Sequence, residues 1–257
     1  ILLNLYFGPI VNASRSIAAQ VQQAFTQLAT NFTTAINPQI VKSYSSGDME
    51  RMTNLVLVSS KYTFLIMAVT AMPFLVKMNY VLQLWLVTVP DGAVVFTRLL
   101  LVYQLTVNLT YSLNMASQAS GNVRLFQIVE STTLILILPI GWLQFDNGME
   151  PATIFVSMVL LSVIALFLRL AVLRKIISFQ VGEYVRKVLF PVGLLSGLYV
   201  FLYEVSVILF VDNDSLGMNV LQMSIVLVLS VVLAYAIGLN ANEKRALRNI
   251  AYKVLIR

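Results

Sequence analysis

The chain has 257 residues and a net charge of +6, and 59% of its residues are hydrophobic whereas only 11% are charged. Because a soluble domain has about 25% charged residues, this composition excludes an ordinary soluble protein and is typical of a chain embedded in a membrane. The chain contains neither Cys nor His, which excludes disulfides, thiolate sites and the commonest general base, so we predict neither a metal site nor a cofactor.

The first predicted element is the end of an apolar helix. Residues 1–7 are mostly apolar and lead into Gly8 and Pro9. A helix rises about 1.5 Å per residue and the hydrocarbon core of a bilayer is about 30 Å thick, so this stretch is too short to cross. We expect it to be the last two turns of a longer helix, and the chain to be a fragment of a longer protein.

A polar helix is predicted next, over residues 10–36. Its polar residues recur every three or four positions and share one face: Asn12, Arg15, Ser16, Gln20, Gln23, Gln27, Thr30, Asn31 and Thr34. The opposite face is apolar and holds Ile17, Val21, Phe25, Leu28, Phe32 and Ala35. Since the polar face cannot contact hydrocarbon, it lines a water-filled cavity or the helix lies in the membrane interface. A face rich in Gln and Thr with a single Arg favours the cavity, because interfacial helices usually display Lys and Arg.

Six further stretches are long and apolar enough to cross a bilayer as helices. They cover residues 55–76, 93–115, 127–143, 152–173, 188–211 and 216–239. Basic residues are concentrated in alternate loops and in the tail, whereas the loop 142–151 has two acidic residues and no Lys or Arg. The positive-inside rule therefore predicts a cytoplasmic carboxyl terminus. The basic loops predict contact with anionic membrane lipids and not with nucleic acid.

The span 93–115 repeats the polar pattern more weakly. Gln104, Asn108 and Tyr111 lie at helical spacing and would share a face. Two alternatives remain for these three side chains. They form hydrogen bonds between helices, or they line the same cavity as the polar helix.

Four charged residues are predicted inside helices that cross the membrane, namely Arg15, Arg98, Glu130 and Glu204. A charge there costs at least about 2.5 to 3.5 kcal/mol and tends to mark a functional position. Arg15 and Arg98 are expected roughly 9 Å from the non-cytoplasmic side. They could form one cationic site for phosphate or a sugar carboxylate, or snorkel to the headgroups. Glu130 fits a solvated helix start, and Glu204 is a candidate coupling residue that either titrates or pairs with an Arg.

Several runs of residues resemble a known family. The most specific run is NLYFGPIVNASRSIA at 4–18, followed by Asn31, NPQ at 37–39, KSY at 42–44 and Gly47-Asp48; LQLWL at 82–86, Val89-Pro90 and ASGN at 119–122 add weaker matches. These runs resemble the flippases of O-antigen and capsular polysaccharide repeat units, in the multidrug/oligosaccharidyl-lipid/polysaccharide exporter superfamily. Ser14 and Ser16 flank Arg15 where that family is expected to have Ala or Gly, and this keeps the helix equally narrow.

The resemblance implies an all-α, polytopic integral membrane protein with a MATE-like helical bundle. The chain would hold the end of helix seven and helices eight to fourteen of a fourteen-helix transporter. On this expectation residues 1–173 form the second transporter lobe, 174–187 a basic cytoplasmic linker, 188–239 an additional helix pair and 240–257 a basic cytoplasmic tail.

The resemblance also implies an activity without an enzymatic step. Undecaprenyl-pyrophosphate-linked oligosaccharide would move from the cytoplasmic to the periplasmic leaflet of the bacterial inner membrane by alternating access. Expected partners are this lipid-linked oligosaccharide, the missing amino-terminal lobe of the same chain, and polysaccharide polymerase and chain-length proteins. The predicted substrate cavity consists of Asn12, Arg15, Ser16, Gln20, Gln23, Gln27, Asn31, Arg98, Gln104, Asn108 and Tyr111.

Three alternatives to this activity remain open. The first is a drug or cation exporter of the same superfamily, although a site for cations would more naturally display a carboxylate than Arg15. The second is a flippase for another lipid-linked precursor. The third is a membrane enzyme, such as a glycan polymerase or ligase, which would be expected to have large loops that carry catalytic side chains.

Overall fold

A computed structural model describes residues 2–210, 215–241, 243–245 and 248, and over these residues the protein is helical. The helices are α1 (Leu2–Ser45), α2 (Met49–Val76), α3 (Met78–Trp85), α4 (Ala93–Asn108), α5 (Tyr111–Ala119), α6 (Arg124–Asp146), α7 (Thr153–Ile177), α8 (Val181–Tyr184), α9 (Phe190–Leu209) and α10 (Leu216–Leu233). A π-helical turn, Val185–Leu189, joins α8 to α9, and a second one, Ala234–Gly238, follows α10. Asp212, Asp214 and most of the predicted tail lie outside the described residues.

The predicted all-helical class is confirmed over the described residues, and the lengths and compositions of the helices support the predicted multi-pass class. Within the part of the chain that the structure describes, six stretches are long and apolar enough to cross a membrane: Met49–Val76, Ala93–Ala119, Arg124–Asp146, Thr153–Ile177, Val181–Leu209 and Leu216–Gly238. They correspond one to one to the six predicted apolar spans. The fifth begins earlier than expected, and the stretch predicted as a linker, 174–187, is helical except at residues 178–180.

The helix α1 contains the predicted break near its start. Gly8 has φ 80° and ψ −176°, so the backbone leaves the helical region there before Pro9. Beyond this kink α1 runs to Ser45, nine residues past the expected end, because Pro38 is accommodated within the helix. Two residues assigned to its apolar face, Leu28 and Ala35, are exposed. The buried face is therefore narrower than the sequence pattern suggested.

Packing centres on α2, which lies between α1 and α4 on one side and α9 and α10 on the other. Its apolar side chains, including Val56, Phe64 and Met72, belong to the largest buried cluster, which also contains Leu195 of α9 and Val226 of α10. In contrast, α6 is buried over only 11% of its apolar window. Most of the surface of α6 is thus free for lipid or for another protein surface.

The second apolar span is broken at Leu109 and Thr110, where the sequence predicted one continuous helix. The Leu109 carbonyl accepts hydrogen bonds from Tyr184 Oη at 2.8 Å and from Ser60 Oγ at 3.2 Å. Thr110 Oγ1 donates to the Val107 carbonyl at 2.7 Å. These side chains satisfy backbone groups that a continuous helix would satisfy internally, and they fix the break in place.

A glycine at the start of α4 provides a test of this packing. Gly92 has φ 82°, and a Cβ there would lie 2.9 Å from the Phe96 ring. Gly121 has a similar φ of 73° with nothing within 4 Å of such a Cβ. Both Gly→Ala changes should cost about 1 to 2 kcal/mol through the left-handed backbone. Gly92→Ala should cost about 1 kcal/mol more, because the buried Phe96 ring must move. Unfolding of both variants in one detergent measures the difference, and equal losses would contradict the predicted clash.

Candidate substrate-facing surface

The polar side chains of α1 form an exposed row on the outside of the bundle. The exposed members are Arg15, Ser16, Gln20, Gln23, Gln27, Thr30, Asn31 and Thr34, whereas Asn12 is partly buried. The row from Arg15 to Thr34 is about 28 Å long, close to the thickness of a hydrocarbon core. We call this row the polar face of α1. It is continuous enough to contact a hydrophilic molecule across most of a membrane.

The buried face of α1 consists largely of small side chains that let its neighbours approach closely. Ser14, Ala18 and Ala29 are buried there, together with Phe25, which makes an edge-to-face contact with Phe74 of α2. Because one face of α1 is fully packed, the rotation of the helix about its own axis is fixed. The polar face is consequently held outward by packing on the opposite side.

Contacts between Ser14 and Phe32 define the direction of α1 in the bundle. Ser14 Oγ donates to the Asp91 carbonyl at 2.8 Å, next to the start of α4, and Gln22 Nε2 donates to Gln104 Oε1 of α4 at 2.8 Å. Phe32 stacks on Tyr62 of α2 at 6.4 Å between ring centroids. Thus α1 runs lengthwise beside α4 and α2. This arrangement favours a helix that shares their membrane crossing over one that lies in the interface plane.

Arg15 lies at one end of the polar face. Its side chain is exposed, and no carboxylate forms an ion pair with it among residues 2–210 and the other described residues. The buried Ser14 immediately before it anchors this part of the helix to the bundle. The guanidinium is thus positioned by a rigid backbone and is available to an anion.

Arg98 occupies a different place, and the predicted pairing with Arg15 in one cationic site does not form. Its Nε donates to the Leu75 carbonyl at 2.9 Å, and its Nη2 lies 3.5 Å from the Val76 carbonyl. Its Cζ lies 5.5 Å from the centroid of the Tyr203 ring. Arg98 thus contacts the end of α2 and the side of α9, whereas Arg15 lies on the outer face of α1. The rotation of α4 in the bundle, which the sequence does not reveal, separates them.

Gln104 and Asn108 are buried, and their hydrogen bonds lie within the bundle. Gln104 Nε2 lies 2.8 Å from Tyr111 Oη and 3.1 Å from Asn108 Oδ1, while Asn108 Nδ2 donates to Met67 Sδ. Gln22 of α1 joins the same network through Gln104. For Gln104 and Asn108 the structure therefore favours hydrogen bonding between helices over cavity lining. Tyr111 is partly buried at the edge of this network.

The two predicted acidic positions differ in their surroundings. Glu204 is exposed on α9, and no ion pair or hydrogen bond to it occurs among the described residues. Glu130 lies 3.9 Å from Arg169 Nη2. Arg169 also donates to Thr110 Oγ1 at 2.7 Å. Glu130 thus has a basic neighbour in addition to solvent, since its side chain is 38% exposed, whereas Arg169 is buried within α7.

A second buried charge was missed by the sequence analysis. Lys61 lies in the middle of α2 with only 4% of its surface exposed, and its Nζ lies 2.6 Å from Glu243 Oε2. Glu243 Oε2 also accepts the Asn240 backbone N–H at 2.7 Å. The available signal was a Lys inside an otherwise apolar span. Its partner could not be identified because it lies 182 residues away in the sequence.

Comparison of the chain with models of protein families, with curated proteins and with solved structures found no match. No family is therefore assigned to the chain on such a likeness.

Proposed function

We propose that this chain is part of a flippase that moves undecaprenyl-pyrophosphate-linked oligosaccharide repeat units from the cytoplasmic to the periplasmic leaflet, in O-antigen, capsule or exopolysaccharide synthesis. The observation that carries the proposal is the polar face of α1. It is exposed over about 28 Å, while the opposite face of the same helix is packed against helices apolar enough to cross a membrane. The resemblance of residues 4–48 to such flippases supports the same activity.

The chemistry of the polar face suits a glycan with an anionic head. Glutamine, asparagine and threonine side chains offer both donors and acceptors, which match the hydroxyl groups of a sugar chain. The guanidinium of Arg15 can form two parallel hydrogen bonds with a phosphate, and the chain has no acidic residue over residues 2–45 to compete with it. An anionic substrate is therefore favoured over the cationic substrates of a drug exporter.

The polar face of α1 must contact water or protein, because burying polar groups in lipid is unfavourable. The hydroxyls of Ser16, Thr30 and Thr34 donate to carbonyls of their own helix, but each amide group left without a partner in hydrocarbon would cost several kcal/mol, roughly 4 to 8 on an alkane scale. We propose that a second lobe of the same transporter lies opposite the polar face of α1, and that the two lobes enclose a water-filled route in the bacterial inner membrane. The basic loops and the carboxyl terminus then lie on the cytoplasmic side, as the positive-inside rule predicts.

Cysteine labelling tests whether water reaches the polar face. The chain has no native Cys, so single variants Gln20→Cys, Gln23→Cys and Gln27→Cys can be labelled in intact membranes with a charged, impermeant maleimide. The matched controls are Leu160→Cys and Ile164→Cys, which are exposed on the apolar surface of α7. We expect labelling about tenfold faster or more on the polar face, because the reacting thiolate does not form in hydrocarbon. Equal protection at all five positions would contradict the water-filled route.

A further inference from the structure

A groove of about 390 Å³ lies between α2, α4 and α9, away from the polar face of α1. Its walls are mostly apolar and are built from Phe64, Ala68, Met72, Leu75, Val102 and Leu105, with α9 opposite. Val200 of α9 lines it as well. Because Val102 and Val200 are both exposed, the groove opens on the side of the bundle. Its volume is in the range of small-molecule sites, and its lining suits a hydrocarbon chain.

One cation lies in this apolar groove. Arg98 lines it, and its described hydrogen bonds use Nε and Nη2, which leaves Nη1 for another acceptor. Both acceptors are neutral backbone carbonyls at the end of α2. No carboxylate forms an ion pair with Arg98 among the residues that the structure describes. The positive charge is oriented by Tyr203 but is not neutralised within this part of the chain.

A cation at this depth needs an anion for electrostatic reasons. A charged side chain within a membrane is costly unless it is paired or reaches the headgroup region. Arg98 lies five residues after the start of α4, roughly 8 Å along the helix. Its long side chain can therefore reach the level of the lipid phosphates while its methylene groups stay in the groove.

We propose that this groove binds one anionic phospholipid of the surrounding bilayer, with the lipid phosphate on Arg98 and an acyl chain along the apolar wall. The combination of charge and shape selects this class of ligand: a free phosphate would leave the apolar walls uncovered, and a zwitterionic lipid would bring its own cation close to the guanidinium and so weaken the pairing. Arg15 provides a contrast, since its exposed side chain lies in the polar face of α1 beside Ser16. The site is independent of the proposed transport activity.

Fluorescence quenching by brominated lipids tests the site. The full-length protein is freed of its other Trp residues, including Trp85 and Trp142, and Phe201→Trp, at an exposed position of α9 next to the lining residue Val200, is introduced as a reporter beside the groove. It is reconstituted in phosphatidylcholine vesicles that contain either brominated phosphatidylglycerol or brominated phosphatidylcholine. We expect the anionic lipid to bind about fivefold more strongly, the size expected for one basic side chain and one anionic headgroup. Equal quenching by the two lipids would overturn the proposal.

Substitutions test whether Arg98 causes the preference for the anionic lipid. Arg98→Gln should reduce the ratio of the two binding constants to about one, Arg98→Lys should keep most of it, and Arg174→Gln, at an exposed distant position, should leave it unchanged. Ser196 of α9 also lines the groove; Ser196→Phe places a bulky ring there, leaves Arg98 in the sequence, and should lower quenching by the anionic lipid. This variant tests lipid binding in the groove even if Arg98→Gln does not fold. Preference that survives both changes would overturn the proposal.

Competition distinguishes the sources of the anion. Inorganic phosphate in the buffer should leave quenching by brominated phosphatidylglycerol unchanged, and displacement by it would show a soluble-anion site instead. Undecaprenyl phosphate should compete no better than unbrominated phosphatidylglycerol. Displacement at a much lower mole fraction would assign the groove to a polyprenyl lipid and overturn the phospholipid assignment.

Discussion

Replacing Arg15 with Ala or with Lys in the full-length protein is expected to reduce export of surface polysaccharide at least tenfold in a strain that lacks its own flippase. A hydrogen bond to a charged group contributes about 1.5 to 3 kcal/mol, which corresponds to roughly ten- to a hundredfold in binding. Lys keeps the charge of Arg15 but cannot form two parallel hydrogen bonds with a phosphate, so it should fail as well. Surface polysaccharide is measured at matched membrane abundance of each variant.

The matched control for Arg15 is Arg174→Ala. Arg174 is also exposed, but it lies in the basic last turn of α7 and not on the polar face of α1. It should export normally. Normal export by Arg15→Ala would show that Arg15 is only a snorkelling anchor and would remove the anion site from the proposal. Loss in Arg15→Ala with full export in Arg15→Lys would leave a requirement for charge but not for paired hydrogen bonds.

The features of this fold that depend on periodicity could be predicted from the sequence. Apolar length predicted the six spans, and a three-to-four-residue repeat predicted which side chains share the polar face of α1, because both follow from the geometry of a single helix. The break at Gly8 was predictable for the same local reason, since Gly followed by Pro disfavours a continuous helix. These features require no knowledge of neighbouring helices.

The features that depend on helix packing could not be predicted. Equal depth suggested that Arg15 and Arg98 act together, but depth says nothing about the direction in which α4 presents a side chain. The structure directs Arg98 to the end of α2 and to Tyr203. Gln104 was ambiguous for the same reason, because a polar side chain at helical spacing is equally compatible with a neighbouring amide and with water. Its contact with Gln22 of α1 resolves the ambiguity.

The buried ion pair of Lys61 and Glu243 gives the largest stability effect that we expect. Their side chains are only 5% and 15% exposed, and the Nζ to Oε2 distance is 2.6 Å. Removing one partner leaves the other charge buried, which typically costs about 3 to 5 kcal/mol. Lys61→Met and Glu243→Gln should therefore each destabilise the protein by about 3 kcal/mol, measured by unfolding in one detergent. The carboxyl-terminal segment that contains Glu243 should detach from α2 first, because this pair connects them.

The double variant and a second, exposed ion pair distinguish the cost of burying an unpaired charge from the cost of lost packing. Lys61→Met combined with Glu243→Gln leaves no unpaired charge, so its cost should be clearly less than the sum of the two single costs. Lys187 and Glu183 form a pair at 3.2 Å whose side chains are 53% and 41% exposed. Lys187→Met should cost less than about 1 kcal/mol, because water screens both charges. Two outcomes would contradict this explanation: additive costs in the double variant, or equal costs for Lys61→Met and Lys187→Met. Either would show that burial of the Lys61 charge does not control the contact between Lys61 and Glu243. The attachment of the carboxyl-terminal segment to α2 would then depend on its apolar packing.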